Sequence, residues 1–255
     1  MCGIAGIVAA DRLHIDEASR AVLMRDVMIH RGPDGAGLHA DDFAALAHRR
    51  LSIVDLAGGH QPITNEDASI WLTFNGEIYN HASVRPELEA AGHVYKTRSD
   101  TETIIHAYEQ WGDDCVDRFR GMFAFAIWDA PRKRLLLARD RMGKKPLYWT
   151  RIPARGGRGE RLLFASEIKG ILESGLIEAR PNQKMVPELL ATRSTSGEET
   201  LFQDIYKLMP GHRLVYEHGR VTTTQYWDIP QEGADPALAK LPEAELIDRF
   251  RDLLS

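Results

Sequence analysis

A chain of 255 residues that is 44% apolar and 27% charged has the length and balance of a globular protein with a buried core, as one large domain plus a fragment or as two small ones. A net charge of −5 gives no electrostatic footprint for nucleic acid or an anionic membrane, and the longest apolar stretch, residues 122–128, is too short to span a bilayer. The two cysteines, Cys2 and Cys115, exclude a disulfide framework, and no Cys/His spacing points to zinc.

The N-terminus, Met1-Cys2-Gly3-Ile4-Ala5-Gly6, has neither the basic start nor the apolar length of a secretory signal, and its glycine stands at position 3 rather than 2, where myristoylation would need it. A cytoplasmic location is expected. Strands are predicted over residues 3–8, 45–54, 70–74, 122–128, 134–139, 146–149, 162–165 and 212–217. Residues 129–133 join two of them as a hairpin turn, and the glycine-rich stretch 153–159 reads as a solvated hairpin tip.

The clearest helix follows Ser99, an N-cap with Glu102 as its capping-box partner; it runs to about Trp111, with Gly112 as a left-handed cap. Further helices are predicted over 84–91 and 167–172, and Cys115 lies on a helix as a small, partly buried apolar residue. Residues 231–236 read as linker, and beyond them Leu246, Ile247, Phe250, Leu253 and Leu254 form a helical apolar stripe that needs something to pack against.

Removing Met1 would leave the thiol and a free α-amine on one residue, a nucleophile with its own base, since the two groups titrate near about 8.5 and about 8. Alone, a cysteine at position 2 is better explained by chance. Four further islands have to be read beside it. His30-Arg31-Gly32-Pro33-Asp34-Gly35 is a tight turn. Arg50, in Arg49-Arg50-Leu51-Ser52, suits bidentate capture of a carboxylate or a surface ion pair. Asn75-Gly76-Glu77 offers an amide and a close backbone N–H to an oxyanion, or is an Asn-Gly hairpin turn. Asp100 is an anion at a helix start.

In order and wording these islands resemble the asparagine synthase (glutamine-hydrolysing) family. The likeness begins at Cys2-Gly3-Ile4-Ala5-Gly6 and passes through Arg31-Gly32-Pro33-Asp34, Arg50-Leu51-Ser52-Ile53-Val54-Asp55, Phe74-Asn75-Gly76-Glu77-Ile78-Tyr79-Asn80 and Ser99-Asp100. It continues through residues 121–129, Lys145-Pro146-Leu147-Tyr148, Phe164-Ala165-Ser166-Glu167 and Pro210-Gly211-His212, so that it covers nearly the whole chain.

The resemblance implies an α+β fold, the N-terminal nucleophile (Ntn) hydrolase sandwich with four αββα layers and two antiparallel sheets, acting as a class II glutamine amidotransferase domain. Residues 1–228 would form that domain, 229–240 a linker and 241–255 the first helix of an ATP-dependent synthetase domain. By the same likeness Cys2 is the nucleophile, and Asn75 and Gly76 hold the oxyanion. Arg50 binds the glutamine α-carboxylate, Glu77 and Asp100 bind its α-ammonium, and backbone groups of Leu51 and Ile53 line the pocket. No metal or cofactor is implied for this domain, whereas Mg-ATP is implied for the synthetase domain. The implied partners are glutamine, the chain's own C-terminal synthetase domain and, as an option, a second copy in a homodimer.

The family's Tyr-Val-Pro-rich stretch is replaced here by residues 189–202, so the amide acceptor is aspartate or another carboxylate. Two alternatives stand beside this reading. One is an amidotransferase of another biosynthetic pathway, which the wording around Arg31 and Arg50 disfavours. The other is a catalytically dormant Ntn-fold interaction module.

Overall fold

The computed structural model describes residues 1–52, 59–229 and 237–254. In chain order the strands are β1 (Gly3–Ala9), β2 (Gly35–Ala40), β3 (Ala44–Arg50), β4 (Ile63–Thr64), β5 (Ile70–Ile78), β6 (Gly121–Asp129), β7 (Arg134–Arg139), β8 (Tyr148–Ile152), β9 (Arg161–Ala165), β10 (Tyr206–Lys207), β11 (His212–Glu217) and β12 (Arg220–Gln225). The helices are α1 (Glu17–Asp26), α2 (His81–Ala90), α3 (Asp100–Trp111), α4 (Cys115–Arg118), α5 (Ile168–Glu173), α6 (Val186–Thr192) and α7 (Glu243–Leu254). Two antiparallel six-stranded sheets result, ordered β10-β8-β9-β1-β3-β2 and β12-β11-β7-β6-β5-β4.

Period-two patterning builds the layers. In β1, Ile4 and Val8 face the second sheet, packing with Trp128, Leu137 and Leu214, whereas Ala5 and Ile7 face Met24 and Met28 on the α1 side and Ile171 of α5. In β5, Leu72, Phe74 and Ile78 pack outward on Val84 and Leu88 of α2 and Ile104, Ile105 and Tyr108 of α3. Three apolar clusters, two outer and one between the sheets, therefore stack as αββα.

Several expectations shift. The strand expected over 45–54 ends at Arg50, and residues 53 and 54 lie outside the described residues. The strand expected over 146–149 is β8, running on to Ile152. Helix α2 starts three residues early, at His81, and accommodates Pro86 in its middle. Ser99 does cap α3, accepting from the Thr101 N–H at 3.2 Å, but Glu102 does not complete a capping box. Its carboxylate reaches past Ser99 to the N–H groups of Lys96 and Thr97, both at 2.7 Å, and so fastens the preceding loop instead. Gly112 has the positive φ expected, 59°, but its ψ of −137° puts it outside the left-handed helical region. Cys115 is fully buried rather than partly so, and burial pushes its thiol well above the ordinary range.

Helix α7 has no buried residue, and Leu253 and Leu254 are 85% and 72% exposed. No helix among the described residues is long and apolar enough to cross a membrane.

Candidate active site

The first strand delivers Cys2 to the end of the central layer. Ser166 clasps the strand start from both sides, its N–H donating to the Ile4 carbonyl at 2.9 Å and its hydroxyl accepting from the Ile4 N–H at 3.0 Å. The buried Arg31 donates from Nε to the Cys2 carbonyl at 2.9 Å while its Nη1 pairs with Glu167 at 3.0 Å. The turn that carries Arg31 lies against β3 through Gly32, where a Cβ would come within 2.5 Å of the Arg49 carbonyl carbon. Its Asp34 N–H donates to the Arg50 carbonyl, and its carboxylate accepts from the Ser52 N–H. This island is structural; it fixes both Cys2 and the end of β3.

The thiol rests on the backbone just past β3, with Sγ 3.4 Å from the Leu51 nitrogen and 3.7 Å from its carbonyl oxygen. Around it opens a cavity of about 100 Å³ lined by Met1, Cys2, Arg50, Leu51, Asn75, Gly76, Glu77 and Asp100. Every sequence-predicted site residue is thus brought to one place except Ile53, which lies outside the described residues. Gly59, Gln61, Ser99, Thr101, Met122 and Lys145 line it too and were not foreseen. Ser99, Met122 and Lys145 gave a signal, since they lie in segments already singled out for their wording.

The Asn75-Gly76 pair is not a hairpin turn. It lies inside β5, with Asn75 opposite Ala124 and Gly76 opposite Phe123 of β6. Along a strand successive N–H groups point to opposite edges. The Phe74 N–H donates to the Gln61 side chain at 2.7 Å and the Ile78 N–H to Asp100 at 2.8 Å, so the Gly76 N–H between them points to the same edge, away from β6. Among the described residues that edge is open here, because β4 pairs only with Trp71 and Leu72. The Asn75 side-chain nitrogen is buried and has no hydrogen-bond partner among the described residues. Two N–H donors thus stand at one cavity wall, one of them an amide left unsatisfied, which is costly unless a ligand completes it.

Charge divides the cavity. Arg50 and Lys145 are cationic, Glu77 and Asp100 anionic, a distribution that suits a zwitterionic amino acid. Burial raises Asp100 above the ordinary carboxylate range against the opposing Ile78 N–H and His81, and the charge of Glu77 adds to the rise. A bound ammonium would restore its preference for the ionised form. Burial lowers the Met1 α-amine; the neighbouring Cys2 opposes this, whereas Arg31 and Lys145 reinforce it.

Lys145 owes its place to Asp140, whose carboxylate accepts from the N–H groups of Phe123, Met142, Lys144 and Lys145 at 2.9–3.1 Å. A larger cleft of about 1070 Å³ beside β8 and β10 contains no cysteine; its arginines, such as Arg151 and Arg180, pair with its own acids Glu160 and Asp204. The smaller cavity, which contains the Cys2 thiol, is therefore the candidate site.

A family profile described as "Glutamine amidotransferase domain" matches residues 1–227. Asparagine synthetase [glutamine-hydrolyzing] 3 of Bacillus subtilis (strain 168) is 36% identical over 235 residues, 91% of this chain and 37% of that protein. Asparagine synthetase [glutamine-hydrolyzing] 1 of the same organism is 34% identical over 257 residues, 100% of this chain and 39% of the relative. Asparagine synthetase [glutamine-hydrolyzing] 3 of Arabidopsis thaliana is 42% identical over 173 residues, 67% and 28%. The chain therefore spans well under half the length of these relatives.

Among solved structures, glutamine phosphoribosylpyrophosphate amidotransferase from B. subtilis superposes with a TM-score of 0.62 at 17% identity, covering 89% of this chain and 49% of that one. An allosteric regulatory enzyme of purine biosynthesis gives 0.64 at 18%, with the same coverage. At such identities the likeness speaks for the fold, the Ntn sandwich of class II amidotransferases. Matched along almost its whole length by the profile, and more than a third identical to these relatives over the aligned residues, the chain belongs to the glutamine amidotransferase domains of the asparagine synthase (glutamine-hydrolysing) family.

Proposed function

We propose that the chain hydrolyses glutamine to glutamate and ammonia through a thioester on Cys2. With Met1 in place the Cys2 nitrogen is an amide and has no basicity, so removal of Met1 is the activating step. The freed α-amine takes the thiol proton, and the thiolate attacks the side-chain carboxamide carbon of glutamine. The carbonyl electrons move onto oxygen, where the Asn75 side-chain amide and the Gly76 N–H receive them, each donor lowering the barrier by about 3 kcal/mol. Collapse expels ammonia, which carries the proton from the α-ammonium, and leaves a γ-glutamyl thioester. Water, deprotonated by the same amine, then releases glutamate and restores the thiol.

Arg50 would hold the substrate α-carboxylate, Glu77 and Asp100 its α-ammonium, and the Leu51 backbone the pocket wall; Ile53, by family likeness, would continue that wall. The single observation that carries this reading is the buried Asn75 amide, without a partner among the described residues, at the wall of the cavity that contains the Cys2 thiol. Ammonia would pass to an ATP-activated carboxylate, aspartate or another acceptor, in a synthetase domain that uses Mg-ATP. The exposed stripe of α7 would pack as the first helix of that domain, and the relatives' greater length supports this.

The deciding experiment is glutamate release by purified chain whose N-terminal Cys2 has been verified by intact mass, beside Cys2→Ala. Turnover by the processed chain and none by the variant is expected. Equal turnover by both, or none by a folded and processed chain supplied with glutamine, would sink the thioester mechanism.

A further inference from the structure

Away from the cavity, on the outer face of α3, three side chains converge that the glutaminase chemistry does not use. His106 and Glu109 stand three residues apart on one face of α3. His93 is turned back toward them after α2 by Gly92, whose φ of 103° lets the chain reverse. His106 Nδ1 lies 3.0 Å and His93 Nδ1 3.5 Å from the same oxygen, Glu109 Oε2, and the three donor atoms all fall within 4.8 Å of one another. Tetrahedral zinc with bonds of about 2.0–2.1 Å needs its ligand atoms about 3.3 Å apart. A small contraction would bring all three to that spacing.

Two of the three outward atoms, on Glu109 and His93, are held by hydrogen bonds as those of metal ligands usually are. Glu109 Oε1 accepts from the Asn65 amide at 2.9 Å, His93 Nε2 meets Gln110 Oε1 at 3.2 Å, and His106 Nε2 faces Glu102 at 3.7 Å and Glu66 at 3.9 Å. Charge argues the same way. Three carboxylates, Glu66, Glu102 and Glu109, crowd two imidazoles, and among the described residues none of the three has an arginine or lysine ion-pair partner. A divalent ion at the three donor atoms would be balanced by these carboxylates, and Glu109 at the solvent edge gives it a way in.

We propose that His93, His106 and Glu109 form a site for a zinc-class divalent transition ion, with the fourth position open to water. The ion would tie α3, whose first residue is Asp100, to the segment that follows α2. It takes no part in glutamine hydrolysis.

Zinc titrated calorimetrically into untagged, chelator-treated chain carrying Cys2→Ala, which removes the competing thiol, tests the site; cobalt absorption supplies a second probe. One saturable equivalent is expected, with tetrahedral cobalt bands and a higher Tm in zinc. His93→Gln and Glu109→Gln, both accessible and not needed for the core, should each weaken binding about tenfold or more. Absence of saturable binding in the parent, or unchanged affinity in both variants, would overturn the proposal and leave the cluster a set of histidine–carboxylate ion pairs.

Discussion

Asn75 is 1% exposed, and its amide nitrogen lacks a partner among the described residues, so the folded state gains nothing from that donor. Asn75→Ala should therefore lower kcat about 100-fold or more while leaving Tm unchanged or slightly raised, read by glutamate release and thermal unfolding. A structural asparagine would give the opposite pair, lost stability with kept turnover. Lys145 calls for a different readout. A cation beside the amine disfavours its protonated form, so Lys145→Met should move the acid limb of kcat/KM in the processed enzyme to higher pH, and Lys145→Arg should leave it in place. A Lys145 that only held its loop would lower activity at every pH without shifting the limb. At this scale the sequence was legible through family wording rather than spacing. Arg50 reads as a surface ion pair and Asn75-Gly76 as a hairpin turn until their neighbours are known. Lys145 lay in a segment quoted for its wording but had no role assigned to it, because the Asp140 carboxylate that aims its loop is recognisable only from four backbone contacts.

Among the elements, β5 and β6 carry the site, and Gly76 sets how closely they approach. A Cβ there would lie 2.2 Å from the Met122 carbonyl oxygen and 2.7 Å from the Phe123 Cα, both backbone atoms that cannot rotate away. Gly76→Ala should accordingly separate the strands, cost on the order of 3 kcal/mol in urea unfolding and abolish turnover, unlike Asn75→Ala next to it. A variant of parental stability would show that this pairing is looser than its register implies. Strands with apolar runs, such as β6 and β7, could be read from sequence because their burial is written in consecutive residues. Strand β2, with glycines at positions 35 and 37 and every second residue exposed, could not, and neither could β12, which is polar and on a sheet edge. Helix α1 escaped for the same reason: only Glu17, Ala21 and Met24 of its ten residues are buried. Short partners on the outside of a sheet need little apolar surface, and their pairing is decided by strands far away in sequence.

The whole molecule depends on the layer between the sheets, and one titratable group reports on its integrity. His48 of β3 is fully buried there, its Nδ1 3.1 Å from Thr73 Oγ1 on β5 of the opposite sheet. That two sheets stack face to face was expected from family likeness; alternation alone shows which residues share a face, not which faces meet. Burial, with the nearby Arg50 charge in support, lowers the His48 pKa from 6.5 to about 3. Below about pH 6.5 the unfolded chain takes up a proton that the folded chain refuses until about pH 3, so the unfolded state binds more protons and stability falls with acidification. The loss approaches about 1.4 kcal/mol per pH unit, which amounts to about 2 kcal/mol between pH 7 and pH 5. His48→Gln keeps a partner for Thr73 but cannot titrate. Its unfolding free energy should therefore decline less between pH 7 and pH 5 than that of the parent by about this amount, whatever its absolute stability, because the acid groups common to both chains cancel in the difference. Parallel curves for the two would mean that His48 is solvated or protonated in the folded chain, and the two sheets would then have to be separated by more than a dry layer of side chains.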